Sequence, residues 1–142
     1  MQKIHKTILI HDSNMQDVEN IKQRIESGIN HFNITILTAN TIFDVLEILN
    51  KRTDLDLMIV EILEGDNDPV EIELLQKARA EQQAHLRIVI HTQEERIVRS
   101  QSGDLAKIIP VRDRFLKGYD DGHFPGTEDF LRSRIRDWLG AL

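Results

Sequence analysis

The chain has 142 residues, of which 24 are acidic and 18 are basic, and its formal net charge at pH 7 is −6. It contains no cysteine, which excludes a disulfide framework, a thiolate zinc site and a cysteine nucleophile. The acidic balance disfavours direct contact with nucleic acid. No apolar run is long enough for a membrane span or a secretory signal, so we expect one cytoplasmic domain over residues 1–142.

The first half of the chain alternates short β-branched runs with amphipathic segments. The pattern predicts strands over 7–10, 33–38 and 57–60, and helices over 14–27 and 41–51. Ser13 or Asn14 can cap the first helix, and Gly28 can end it. The third strand is apolar throughout, which is typical of a strand buried on both faces of a parallel sheet.

The second half continues the alternation. It predicts strands over 87–90 and 107–111, helices over 69–83, 93–102 and 127–140, and an atypical loop over 112–126. The whole order predicts an α/β fold with a doubly wound, five-stranded parallel sheet and helices on both faces, of the flavodoxin-like kind. Ligands of such sheets lie beyond the carboxyl ends of the strands.

Short motifs stand at those strand ends. The chain has Ile8-Leu9-Ile10 followed by His11-Asp12-Ser13, Asp56-Leu57-Met58-Ile59-Val60 followed by Glu61, then Glu73-Leu74-Leu75, and a fourth strand followed by Thr92. In order and spacing, residues 5–111 resemble the receiver domains of response regulators, which act in bacterial two-component signalling. The resemblance implies a phosphoacceptor carboxylate after the third strand and a magnesium ion held by acidic residues after the first.

Three positions depart from the receiver pattern. Glu61 stands at the phosphoacceptor position, Ser13 replaces a second acidic residue beside Asp12, and Ile109 precedes Pro110 where the family has a lysine. Glutamate is one methylene longer than aspartate, so its oxygen would miss the position required for in-line attack. Magnesium prefers hard oxygen ligands, and only Asp12 and Glu61 remain as candidates. We therefore expect the metal, and with it phosphotransfer, to be lost.

These departures predict a non-catalytic pseudo-receiver that needs no cofactor. It would bind a signalling protein or a second copy of itself, and the loop 112–126 would alter the surface that makes such contacts. Thr92 could hydrogen-bond Glu61, and Lys107 or Arg112 could supply the nearby cation that two close carboxylates require.

Two alternatives remain open at the level of sequence. The first is an atypical receiver that is still phosphorylated, for which Asp56 and Glu64 are conceivable alternate carboxylates. The second is a protein of the same fold that binds a small ligand or a metal, with His11 and His91 joining Asp12 as ligands. No Walker A loop, nucleophile elbow or dinucleotide fingerprint supports the second alternative.

Overall fold

The structure, a computed structural model, describes residues 4–28, 32–61, 77, 80, 86–92, 109, 113–116 and 135–139. Its elements in chain order are β1 (His5–His11), α1 (Met15–Gly28), β2 (Asn33–Ala39), α2 (Ile42–Lys51), β3 (Leu57–Val60), β4 (Arg87–Thr92) and β5 (Arg114–Leu116). Residues 135–139 are also helical. Among the described residues, none of the helices has the length and apolar character needed to span a bilayer.

The strands form one sheet in the order β2-β1-β3-β4-β5, and each adjacent pair is parallel. Ile8 of β1 lies beside Ile36 of β2 and Leu57 of β3, and β3 in turn aligns Leu57 with Arg87 of β4. Parallel neighbours require crossover connections, and the described crossovers are the helices α1, between β1 and β2, and α2, between β2 and β3. The predicted fold class, a parallel sheet covered by helices, is confirmed.

Both faces of the sheet are buried under helices. On one face, Val45 and Leu49 of α2 pack with Leu9 and Met58 of the central strands. On the other face, α1 and the helical residues 135–139 pack against the strands, with the buried residues Val18, Ile21, Ile25, Ile135, Trp138 and Leu139. The alternation of side chains along each strand explains this division, since neighbouring residues point to opposite faces.

The first two helices begin where capping residues meet their free N–H groups. Asn14 Oδ1 accepts from the N–H groups of Gln16 at 2.9 Å and Asp17 at 3.2 Å, so Asn14 caps α1 as one of the two predicted candidates. Thr41 Oγ1 accepts from the N–H of Asp44 at 3.1 Å and caps α2. These caps place the helix starts at the carboxyl edge of the sheet, directly after β1 and β2.

The fifth strand lies elsewhere than predicted. Ile109, the centre of the predicted strand 107–111, lies in a bend and is fully buried in the α2-side core. The strand beside β4 is Arg114–Leu116, within the segment predicted to be a loop over 112–126. An apolar β-branched residue can fill a core without pairing in a sheet, so burial accounts for the apolar side chain of Ile109.

Several predicted elements fall mostly outside the described residues. Lys77 and Ala80 are helical, as expected from the predicted helix 69–83, and the rest of that segment is not described. The predicted helix 93–102 is not described. The predicted final helix 127–140 is described over 135–139 alone, where it is helical.

Candidate functional site

The predicted site residues lie at one edge of the sheet, where β1, β3 and β4 end. Asp12 follows β1 and Glu61 follows β3, and His11 O accepts from the Glu61 N–H at 3.0 Å, which brings these two strand ends together. Asp12 is 1% exposed and Glu61 is 5% exposed. Thr92 ends β4 and is also buried. The structure therefore places two buried carboxylates on neighbouring strands.

Ser13 binds the Glu61 carboxylate directly. Its backbone N–H donates to Glu61 Oε1 at 3.0 Å, and its hydroxyl donates to the same oxygen at 2.5 Å. Hydrogen bonds to a carboxylate are among the stronger ones in proteins, since the acceptor is charged. The residue that sequence comparison treats as a lost acidic ligand is thus a donor that holds Glu61 against the β1–α1 loop.

Asp12 organises the same loop through its own side chain and backbone. Asp12 Oδ1 accepts from the Asn14 N–H at 2.9 Å, which is a local turn that leads into the α1 cap. The Asp12 N–H donates to Ala39 O at 3.2 Å, and Asn40 Nδ2 donates to Asp12 O at 3.4 Å. Sequence reasoning missed Asn40, although a polar residue directly after β2 at this edge was a usable signal.

His11 and His91 do not form the metal pair considered above. β3 lies between their strands, so two strand spacings, roughly 10 Å, separate them. Leu9 belongs to the α2-side core and Val89 to the α1-side core, so alternation directs His11 and His91 to opposite faces. Both histidines are buried.

The position assigned to the activating lysine, Ile109, does not follow the fifth strand of the structure. Because β5 is Arg114–Leu116, Ile109 does not end the fifth strand and cannot mark the position that follows it. The residue that follows β5 in the sequence is Lys117, and the signal for it was the short β-type run Phe115-Leu116. Lys107, Arg112 and Lys117 lie outside the described residues, so whether a cation approaches Glu61 stays a prediction.

The donor set around Glu61 fits a magnesium site poorly. Magnesium needs anionic oxygens with open lone pairs in near-octahedral geometry. Glu61 Oε1 already accepts two hydrogen bonds from Ser13, and Ser13 brings no charge. Among the described residues no group of three or more carboxylate or histidine side chains is arranged to hold a metal ion.

Asp56 lies at the amino ends of the strands, opposite the end that holds Glu61, and it has a structural role. Its Oδ2 accepts from the Thr7 N–H at 2.9 Å, and its own N–H donates to Thr7 O at 2.9 Å. The Asp56 carbonyl accepts from the Arg87 N–H at 3.1 Å. Asp56 therefore aligns the entries of β1, β3 and β4, far from Glu61, and Glu64 lies outside the described residues.

The parallel sheet and its strand order are those of the receiver-domain fold. No model of a known protein family matches the chain, and no curated protein matches it. Solved structures do match, and they are receiver domains among others.

A response regulator receiver domain protein from Clostridium thermocellum is 17% identical with a TM-score of 0.66, over 96% of this chain and 95% of that one. A signal receiver domain of a two-component histidine kinase from the same organism is 14% identical with a TM-score of 0.63, over 96% and 95%. The pilus assembly protein CpaE from Caulobacter crescentus CB15 is 14% identical with a TM-score of 0.59, over 99% and 95%. At these identities the comparison establishes the fold.

Proposed function

We propose that the chain is a signalling module of the receiver type that works through protein contacts and does not transfer phosphoryl groups. One observation carries this proposal, namely the two hydrogen bonds that Ser13 donates to the Glu61 carboxylate. Receiver domains are in general signalling modules rather than enzymes, and a response regulator receiver domain is among the matching structures. A fold alone gives no function, so the argument depends on the site.

Phosphotransfer would require the carboxylate to act as a nucleophile beside a cation. Glu61 Oε1 is engaged by the N–H and the hydroxyl of Ser13, so attack by that oxygen would first break both bonds. Position 13 also provides no anionic oxygen for a metal that would neutralise the incoming phosphoryl group. Both effects disfavour labelling, and they arise from the same pair of residues.

A buried carboxylate held by Ser13 would instead give the β1–α1 loop one fixed conformation. Glu61 is 5% exposed, and its N–H also donates to β1. The edge of the sheet would then present a constant surface to a partner, with neither magnesium nor phosphorylation needed to form it.

The deciding experiment is incubation with acetyl phosphate and magnesium chloride, followed by intact-mass measurement. We expect the wild-type mass to remain unchanged. A positive control is the double variant Ser13→Asp/Glu61→Asp, which restores two short carboxylates beside Asp12 and should bind magnesium more tightly than wild type, as measured by calorimetry.

A stoichiometric gain of one phosphoryl group by the wild-type protein, abolished by Glu61→Gln, would instead establish the phosphorylated alternative. Calorimetry of the wild-type protein against nucleotides and divalent ions tests the ligand-binding alternative. Micromolar binding of a nucleotide would favour that alternative over the proposal.

A further inference from the structure

The strand β2 has an outer edge that no other described strand covers. Among the described strands, β2 pairs with β1 alone. The Asn33 N–H donates to Ile4 O at 3.0 Å, and Ala39 O accepts from the Asp12 N–H at 3.2 Å. In a parallel strand, alternate residues direct their N–H and C=O groups to opposite sides. Because Asn33 and Ala39 bond to β1, the backbone groups of Ile34, Ile36 and Thr38 point away from β1 to the outer side.

The described residues of β2 carry no charge, proline or bulge that would block strand pairing. Proteins protect exposed edges with charged residues, proline or bulges. The seven residues of β2 are Asn-Ile-Thr-Ile-Leu-Thr-Ala, which include no charge and no proline. Its register with β1 runs without a bulge from Asn33 to Ala39.

A groove lined by both charged and apolar side chains runs along the same edge. It has a volume of about 360 Å³ and is lined by Lys22, Ile25, Glu26, Phe32, Ile34 and Ile36. Phe32, Ile34 and Ile36 are partly buried and pack against the α1-side core, so each leaves apolar surface in the groove. The edge therefore offers backbone groups to a strand and apolar surface to that strand's side chains.

We propose that a second copy of this chain occupies the edge, with the two β2 strands antiparallel about a two-fold axis at Thr35. This register places Ile34 of one copy opposite Ile36 of the other, and the two-fold axis makes this pair occur twice. The backbone groups of both residues point outward, so each pair forms two reciprocal hydrogen bonds. The Ile side chains lie on the α1 face of both copies and close the two grooves against each other. The β2 sequence is thus complementary to itself.

The charges beside the groove fit the same two-fold arrangement. Lys22 and Glu26 of α1 both line the groove, and their contact within one copy is long, at 3.9 Å, with side chains 38% and 56% exposed. A two-fold axis makes the two α1 helices antiparallel, so Lys22 of one copy meets Glu26 of the other. A partner strand of one charge sign would satisfy one of these residues and repel the other, whereas a second copy satisfies both.

Sedimentation equilibrium of the full chain tests the pairing. Pairing through a single strand of seven residues is a small contact, so we expect a dimer with a dissociation constant in the range of roughly 1–100 μM. The variant Ile34→Lys/Ile36→Lys buries charge in the pair and should weaken dimerisation at least about hundredfold. Phe43→Lys is the matched control, because Phe43 is 78% exposed on α2 and outside the groove, and it should leave the dissociation constant unchanged.

A mixing experiment separates contacts between copies from the contact within one copy. Lys22→Glu makes one copy acidic at both positions, and Glu26→Lys makes the other basic at both, so each variant alone should dimerise about three- to tenfold more weakly. Their equimolar mixture should recover wild-type affinity as a heterodimer, although the contact within each copy stays repulsive.

A wild-type chain that is monomeric at 500 μM (roughly five times the weakest expected constant) overturns the pairing, as does a mixture that fails to recover affinity. The pairing makes no use of Glu61, so the phosphodonor experiment and sedimentation can fail independently of each other.

Discussion

Glu61 is 5% exposed, and a buried charge is costly unless donors surround it. Ser13 meets that need with its N–H and its hydroxyl, both directed at Oε1. An acidic residue at position 13 would place a second carboxylate against Glu61 and repel it. Ser13 and Glu61, both departures from the receiver pattern, are therefore compatible with each other.

The Ser13 hydroxyl can be tested by stability. Ser13→Ala removes one charge-assisted hydrogen bond from a buried carboxylate, so we expect the free energy of unfolding to fall by about 1.5–3 kcal/mol in urea titration. Ser27→Ala is the control, because Ser27 is exposed in α1 and its change should stay within about 0.5 kcal/mol. An equal loss in both variants would argue against the hydrogen bond as the cause.

The sequence predicts which side chains come together at this end of the sheet, whereas the roles of those side chains stay predictions. Asp12, Glu61 and Thr92 were predicted from their place after buried strands, which the parallel register turns into proximity. Ser13 was interpreted as a missing charge, because side-chain identity shows what a residue lacks as a ligand but not to which atom it donates. That second fact depends on the conformation of the β1–α1 loop.

At the scale of elements, the third strand was predicted correctly from its own residues, whereas the position of the fifth strand depends on which segment pairs with β4. Residues 57–60 were predicted and found as β3, because a short apolar run between polar segments has few other uses. Residues 107–111 also contain a short apolar pair, Ile108-Ile109, yet Ile109 fills the core from a bend. The strand that pairs with β4 is three residues long, too short for periodicity to reveal.

The end of α2 offers an electrostatic test. Arg52 closes the helix through its N–H to Ile48 O, and its guanidinium donates to both carboxylate oxygens of Asp54 at 2.9 and 2.7 Å. These hydrogen bonds lower the pKa of Asp54 below its ordinary value of 3.8. A lowered folded-state pKa adds stability above the unfolded-state pKa, and that stability is lost as the pH falls through the folded-state value.

Asp54→Asn should therefore lower the free energy of unfolding at pH 7 by less than about 1 kcal/mol, since the Asp54 side chain is 53% exposed and solvent screens the pair. The difference between variant and wild type should shrink as the pH falls below 3.8, and also in 1 M salt, where the Debye length is about 3 Å. Urea titrations of both proteins at pH 7 and at decreasing acid pH measure this difference in the free energy of unfolding. A difference that grows on acidification would contradict the assigned sign.

At the scale of the whole molecule, the described sheet has two unlike edges. β2 is seven residues long and pairs with β1 along its whole length, whereas β5 has three residues. Both faces of the central strands β1, β3 and β4 are buried, so these strands separate only when the whole core unfolds. An edge strand with few ladder bonds can open without that event.

One ion pair anchors the start of β5 to the start of β4. Arg87 Nη1 donates to Asp113 Oδ2 at 3.3 Å, and the Asp113 side chain is 4% exposed. Asp113→Asn removes the charge from this buried acceptor, which we expect to cost about 1.4 kcal/mol, or a tenfold change in the opening equilibrium. If β5 opens locally, amide exchange at 114–116 should accelerate about tenfold while amides of β1 and β3 exchange at wild-type rates. Uniform acceleration across the sheet would mean instead that β5 unfolds only with the core, and that the pair stabilises the whole domain.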